Sequence, residues 1–369
     1  MDDSGADAFT GREVTGQVLG GMRRLIRFGL DRRIAERIYE AIDAFAAPWL
    51  IEGRRWEGLA REASQSGRLV TARHWYRQAF YLFRVADFAY TDNVPAKLEA
   101  FDGLQRCFDT ATSGIPLAPE MVTISAVGGE FDGMFVAPEG GDASPACLFI
   151  YGSDGIKEEH YWQSALPLVQ RGIAVLVVDG PGQGAAVRRA GVPARADYET
   201  FASGCVDALL RDHRVVSSAI GVMGSSAGGY MAPRAFAHDR RLCALQINSA
   251  LYTPLEGSWV HYPAARPQLR YNVQASSDRE AYDIYTDFTL ASVTNIDPSR
   301  PARIYHGSED PRIPIEQAHK VGAMLGGQAE VIIWPGADHN LGNVATESHP
   351  QMWDWMAARL HEAAARGPR

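Results

Sequence analysis

Between residues 219 and 237 a short apolar run, Ala219-Ile-Gly-Val-Met223, passes straight into Gly224-Ser225-Ser226-Ala227-Gly228-Gly229 and then into the helix-forming Tyr230-Met-Ala-Pro-Arg-Ala-Phe-Ala237. A strand joined to a helix through so few residues needs a sharp turn. The Gly-x-Ser-x-Gly pattern supplies one: glycines leave room where side chains would collide, and the central serine accepts strained backbone. The turn pushes the Ser226 hydroxyl out at the N-terminus of the helix. The bare pattern recurs by chance in glycine-rich chains, but a strand before it and a helix after it give it mechanical sense.

The same alternation runs through the second part of the chain. Met121–Ser125 and Gly133–Ala137 read as short strands separated by a glycine turn. Apolar runs at Ala146–Tyr151, Ile173–Val178, Ala219–Met223, Leu242–Ile247, Ala302–Tyr305 and Ala329–Trp334 each end in a loop rich in Gly or Asp, followed by a helical pattern. Strand and helix in alternation predict an α/β fold, a mostly parallel sheet with helices on both faces, whose ligands bind at the carboxyl ends of the strands. Residues 251–300 fit the alternation poorly. They read as an excursion that covers the site, or as aromatic packing against the helical half.

The first third has a different texture. Arg33–Ile42 repeats apolar residues at three and four, the spacing of one helical stripe; a second pattern runs from Leu69 to Tyr90, and a third restarts after Asn93-Val94-Pro95. The expected organisation is a disordered tail over 1–11, a helical domain over 12–118 and the sheet domain over 119–369.

A serine hydroxyl is a weak nucleophile without a base, and after a nucleophile elbow the expected chain order is Ser, then Asp or Glu, then His. Strand Ala302–Tyr305 ends in His306-Gly-Ser-Glu-Asp310-Pro-Arg-Ile-Pro314, and strand Ala329–Trp334 ends in Pro335-Gly-Ala-Asp338-His339. Asp310 is the expected orienting acid and His339 the base, with neighbours Glu309 and Asp338 as competing acids. Asp310 is favoured because it precedes a Pro-x-x-Pro helix entry; His306 reads as structural. Acyl chemistry also needs donors for the developing oxyanion. One is the backbone N–H of Ala227; the second comes from Gly152-Ser153-Asp154-Gly155-Ile156-Lys157-Glu158-Glu159, at Ser153 or Asp154.

Asp179-Gly-Pro-Gly-Gln-Gly184-Ala185 contains a Gly-x-Gly-x-x-Ala pattern, but no second strand ends in an acid about 20 residues on, as a dinucleotide site requires. It reads as a glycine-rich turn beside the active site. The histidines show no His-Glu-x-x-His and the cysteines no Cys-x-x-Cys, so neither a metal nor another cofactor is expected. With 36 basic and 44 acidic residues, net charge −8, neither nucleic acid nor an anionic membrane is an expected partner. The scattered Cys107, Cys147, Cys205 and Cys243, an acidic N-terminal stretch and the lack of a long apolar run lead to an expectation of a cytoplasmic protein.

Taken together, Gly-Ser-Asp-Gly-Ile-Lys-Glu-Glu, Asp-Gly-Pro-Gly-Gln-Gly and Gly-Ser-Ser-Ala-Gly-Gly resemble an α/β-hydrolase. They resemble in particular the branch holding 2,6-dihydroxypseudooxynicotine hydrolase, the fungal heptaketide-shortening pigment hydrolases and FrsA-like esterases. The helical first third resembles the N-terminal cap of that branch. The resemblance implies a serine hydrolase that cleaves a C–C bond in an aromatic or polyketide-like β-diketone or acyl-phenol; the alternative is an esterase, thioesterase or polyketide cyclase with the same triad. It also implies a homodimer and an auxiliary cap-side acid, placed here at Glu256. Trp75, Tyr76, Tyr81 and Trp259 are the expected aromatic walls for a flat substrate.

Overall fold

The computed structural model describes residues 29–31, 47–90, 94–294 and 296–367. The expected tail over 1–11 and the helical pattern Arg33–Ile42 lie outside these residues. The chain divides into two compact units, Met1–Ala118 and Pro119–Arg369.

In the first unit, α1 (Ala47–Gln65), α2 (Leu69–Ala89) and α3 (Val94–Thr112) pack side by side. Helix α2 is the central element, and from Gln78 to Asp87 every residue is buried. Gly53 of α1 and Gly103 of α3 both close on the Phe83 ring, and a Cβ at either would fall within 2.8 Å of it. The buried charges are paired. Arg84 lies 2.9 Å from Asp87, and Lys97 Nζ donates to the carbonyls of Asp87 and Tyr90 at 2.6 and 3.0 Å.

The second unit is built on an eight-stranded sheet in the order β1-β2-β4-β3-β5-β6-β7-β8. The strands are β1 (Glu120–Ala126), β2 (Gly129–Val136), β3 (Ser144–Ile150), β4 (Ala174–Val178), β5 (Val215–Ser225), β6 (Leu242–Asn248), β7 (Ala302–Gly307) and β8 (Ala329–Trp334). β1 and β2 pair antiparallel and β2 joins β4 antiparallel; every later pairing is parallel. Strands β3 and β4 are buried along their whole length, as expected where helices cover both faces. Helices α4 (Leu166–Val169), α5 (Gly184–Ala190), α6 (Tyr198–Arg211), α7 (Gly228–His238), α10 (Ile315–Leu325) and α11 (Ala345–Arg366) pack on the sheet, whereas α8 (Arg266–Asn272) and α9 (Asp278–Tyr285) pack on each other in the excursion between β6 and β7.

Register decides where the site can form. Ile150 pairs with Gly224, Ser225 with Asn248, Asn248 with Tyr305 and Gly307 with Trp334. The carboxyl ends of β3, β5, β6, β7 and β8 therefore stand in one row, and the loops that follow them open at one edge. Among the described residues no helix is long and apolar enough to cross a membrane.

Candidate active site

β5 delivers the serine. Ser226 has φ +57, left-handed backbone that costs a non-glycine residue about 1–3 kcal/mol, and α7 starts at Gly228. The turn is held by the Ser226 N–H, which donates to the Asn248 carbonyl at 3.0 Å, and by the Gly229 N–H, which donates to the Ser226 carbonyl at 2.7 Å. Both flanking glycines are needed for close approach: a Cβ at Gly224 would lie 2.1 Å from the Gly228 oxygen, and one at Gly228 would lie 2.0 Å from the Ile150 oxygen.

His339 Nε2 stands 3.0 Å from Ser226 Oγ, and His339 Nδ1 stands 2.8 Å from Asp310 Oδ2. The three side chains come from the loops after β5, β7 and β8 and form one chain of hydrogen bonds. Asp310 is the acid in it. Glu309 is exposed, and Asp338 accepts the Asn343 N–H at 2.9 Å in a local turn. Asp310 Oδ1 accepts the N–H groups of Arg312 and Ile313 at 2.9 and 3.0 Å. Burial pushes the Asp310 carboxyl up, but the charge and hydrogen bond of His339 and these two N–H groups prevail and hold it well below the usual carboxylate range. His306 is buried and engages the Ile313 carbonyl at 2.9 Å, which keeps the loop after β7 in shape.

A cavity of about 650 Å³, including its mouth open to solvent, lies over Ser226 and His339. Ala227 and Ser153 are on its wall, together with Tyr230, Met231, Leu251, Leu269, Tyr285 and Phe288. Much of that wall is supplied by residues 251–288, the excursion from the sheet. Gly152 packs directly on Ser226, since a Cβ there would be 3.1 Å from Ser226 Cβ. The Ser153 carbonyl is pinned by Asn272 Nδ2 at 2.7 Å, which fixes the turn closed by Gly155 N–H on the Gly152 carbonyl at 3.2 Å.

Three further expected site residues, Asp154, Glu256 and Trp259, lie in the sheet unit but not on the cavity wall, and three more, Tyr81, Trp75 and Tyr76, lie in the helical unit. Asp154 is not on the cavity wall, because the Gly152–Gly155 turn carries the chain away after Ser153. Glu256 also misses the wall: its carboxylate pairs with Lys320, which lowers its pKa, and it is more than half exposed. Trp259 is buried behind the wall, stacked edge-on to Tyr282 and tilted on Tyr285, with the Arg266 guanidinium over its ring. Tyr81 is fully buried in the helical unit, beside Phe80. Trp75 and Tyr76 belong to the same unit, where Trp75 meets Trp56 edge-on at 6.3 Å and both residues are half-buried.

Two features escaped sequence reasoning. Asp179, fully buried, accepts from the Tyr151 hydroxyl at 2.5 Å, from Lys157 N–H and Nζ at 3.0 Å each and from the Ala185 N–H at 2.8 Å. Burial pushes its carboxyl up, and the Lys157 charge with these hydrogen bonds brings it below the ordinary range. This network ties the loop after β3 to the loop after β4, whose Gly182 reaches the cavity wall. The available signal was that Lys157 is one of only three lysines in the chain. The second feature is the pair Asn248-Ser249 at the end of β6, which no motif marked. Among the described residues no cluster of three or more His, Cys, Asp or Glu side chains is arranged to hold a metal ion.

A mostly parallel sheet with a strained serine elbow after β5, an acid after β7 and a histidine after β8 defines the α/β-hydrolase fold. Within that class the chain belongs to the prolyl oligopeptidase family, which matches residues 160–363. It is 30% identical over 215 residues to an α/β hydrolase of Penicillium citrinum, covering 55% of this chain and 50% of the relative. It is 27% identical to the 2,6-dihydropseudooxynicotine hydrolase of Paenarthrobacter nicotinovorans, covering 59% of each. The chain thus spans about half the length of the curated relatives it matches. The crystal structure of 2,6-dihydroxy-pseudo-oxynicotine hydrolase superposes with a TM-score of 0.82 at 22% identity, over 94% of this chain and 98% of that one. Wild-type AbyA5 superposes with a TM-score of 0.68 at 19% identity, over 96% and 99%.

Proposed function

We propose that the chain is a serine hydrolase that cleaves a C–C bond in a small aromatic or polyketide-like β-diketone or acyl-phenol. The observation that carries the hydrolase reading is the relay from Ser226 Oγ through His339 to Asp310, with spacings of 3.0 and 2.8 Å, on a left-handed serine. The C–C bond is what the motifs' resemblance to the 2,6-dihydroxypseudooxynicotine hydrolase branch implies, and a relative named 2,6-dihydropseudooxynicotine hydrolase matches the chain.

With a 1,3-diketone, Ser226 Oγ adds to one carbonyl carbon while His339 Nε2 takes its proton. The oxyanion is received by the Ala227 N–H and the N–H of Ser153. As the carbonyl re-forms, the bond to the central carbon breaks and its electron pair leaves as an enolate. His339 returns the proton to that carbon, which yields a methyl ketone and an acyl-Ser226. A water molecule, deprotonated by His339, then releases the acid, so one water is consumed per cycle. The cavity is open at its mouth and carries apolar side chains such as Met231, Leu251, Leu269 and Phe288 beside the serine and histidine, a lining that suits a small organic substrate.

The test compares wild type with Ser226→Ala on an aryl 1,3-diketone and an aryl ester, with products identified by mass. The expected result is an acid plus a methyl ketone from the wild type and neither from the variant. Turnover of the ester alone would retain the serine hydrolase and replace the C–C step by ester, thioester or cyclase chemistry. No turnover of either, with Ser226 inert to a fluorophosphonate, would remove the reading altogether.

A further inference from the structure

The end of β6 contacts Ser226, Asp310 and the residue that follows His339. The Asn248 carbonyl accepts the Ser226 N–H, and Asn248 Nδ2 donates to the carbonyl of Asn340 at 2.9 Å, one residue beyond His339. Ser249 Oγ donates to Asp310 Oδ2 at 3.0 Å and accepts the Asn340 N–H at 2.9 Å. One hydroxyl therefore spans the acid and the chain beside the base, with its single proton spent on the carboxylate.

Ser249 is completely buried and its backbone is left-handed, φ +58. Glycine would adopt that conformation without strain. The serine is kept there by its N–H, which donates to the Tyr305 carbonyl at 2.9 Å. The two oxygens of Asp310 are also divided between tasks. Oδ1 takes main-chain N–H groups from its own loop, whereas Oδ2 takes both His339 Nδ1 and the Ser249 hydroxyl.

We infer that Ser249 is a positioning residue of the relay: it sets the rotamer of Asp310 and shares the charge on Oδ2, so that His339 stays aimed at Ser226. It acts through Asp310 and does not touch the reacting atoms. The inference rests on the serine-hydrolase reading. Removing the hydroxyl slows attack by Ser226 without weakening ligand binding. It also leaves more negative charge facing the imidazole, so the acid limb of the rate–pH profile moves to higher pH. Among the described residues His306 also faces Asp310: its Nε2 is 3.9 Å from Oδ2 and is already bonded to the Ile313 carbonyl.

The test is the rate of phosphonylation by a fluorophosphonate, in which Ser226 Oγ bonds to phosphorus, fluoride leaves and His339 takes the serine proton. Wild type, Ser226→Ala, Ser249→Ala and Ser249→Gly are compared as full chains over a range of pH. Both Ser249 variants are expected to react about tenfold more slowly at saturation, the scale of one hydrogen bond to a charged group. The half-saturating probe concentration should stay within about twofold of wild type. Alanine keeps the strained backbone and glycine relieves it, so equal losses in the two point to the hydroxyl. Wild-type rates in either variant, recovery in the glycine variant, or a loss that only tracks the unfolded fraction by circular dichroism would overturn the inference. If wild type reacts no faster than Ser226→Ala, the serine-hydrolase reading falls and this inference falls with it.

Discussion

Asp310 keeps its charge in a place that ought to remove it. Its side chain is 1% exposed, yet four donors surround the carboxylate: His339, Ser249 and the N–H groups of Arg312 and Ile313. Replacing it by asparagine keeps the shape and removes the partner of the imidazolium that forms during attack. Asp310→Asn is expected to lower kcat on an aryl ester by about 10³–10⁴-fold, measured at saturating substrate. Its depressed pKa also makes it a stability group. The contribution is complete above the ordinary carboxylate range and is lost as pH falls through the lower folded value. Urea unfolding of the wild type should therefore weaken more on strong acidification than that of Asp310→Asn. Ser226, Asp310 and His339 were legible because a strand-to-helix serine constrains the order of what must follow it. Ser249 was not, since its meaning depends on a carboxylate 61 positions further along the chain.

At the scale of elements, the elbow works because three backbones approach more closely than side chains permit. Gly228→Ala would place a methyl group 2.0 Å from the Ile150 carbonyl oxygen, on the neighbouring strand. The expected cost is at least about 1–3 kcal/mol, read from the midpoint of thermal or urea unfolding. Gly58, inside α1, provides the opposite case: nothing lies within 4 Å of a Cβ there, and Gly58→Ala should stabilise by roughly 0.8–1 kcal/mol in the same assay. The strands were legible element by element because runs such as Ile173–Val178 and Leu242–Ile247 are short, mostly apolar and followed by loops. The short helices within 251–288 were not. Their aromatics serve both wall and core, Tyr285 and Phe288 at the cavity and Trp259 behind them, and periodicity does not distinguish those tasks.

At the scale of the sheet unit as a whole, the buried Lys157–Asp179 pair joins loops that follow adjacent parallel strands. Lys157 Nζ also donates to the buried Glu158 carboxylate at 2.9 Å, so Lys157→Met takes the cation away from two buried carboxylates, and a loss of at least about 3–5 kcal/mol is expected. Because the Tyr151 hydroxyl and the N–H groups of Lys157 and Ala185 also rely on Asp179, the double replacement Lys157→Met with Asp179→Leu should cost less than the sum of the two single replacements, a coupling that a double-mutant cycle on unfolding free energies would detect. Acidification acts in the same sense on this pair. The Asp179 carboxyl is held below its ordinary value, and its contribution declines as pH falls through that lowered value.

The amino-acid sequence by itself determined the alternation of strand and helix, the serine elbow and the order in which acid and base follow it. These rest on local backbone preferences and on periods of two and 3.6, which neighbouring residues set among themselves. Only the tertiary structure decided that Glu256 turns to Lys320 and away from the cavity, that Trp259 backs the wall, and that Ser249 bridges Asp310 and Asn340. Those outcomes depend on side-chain direction and on distances of about 3 Å between segments far apart in the chain, which no local pattern encodes.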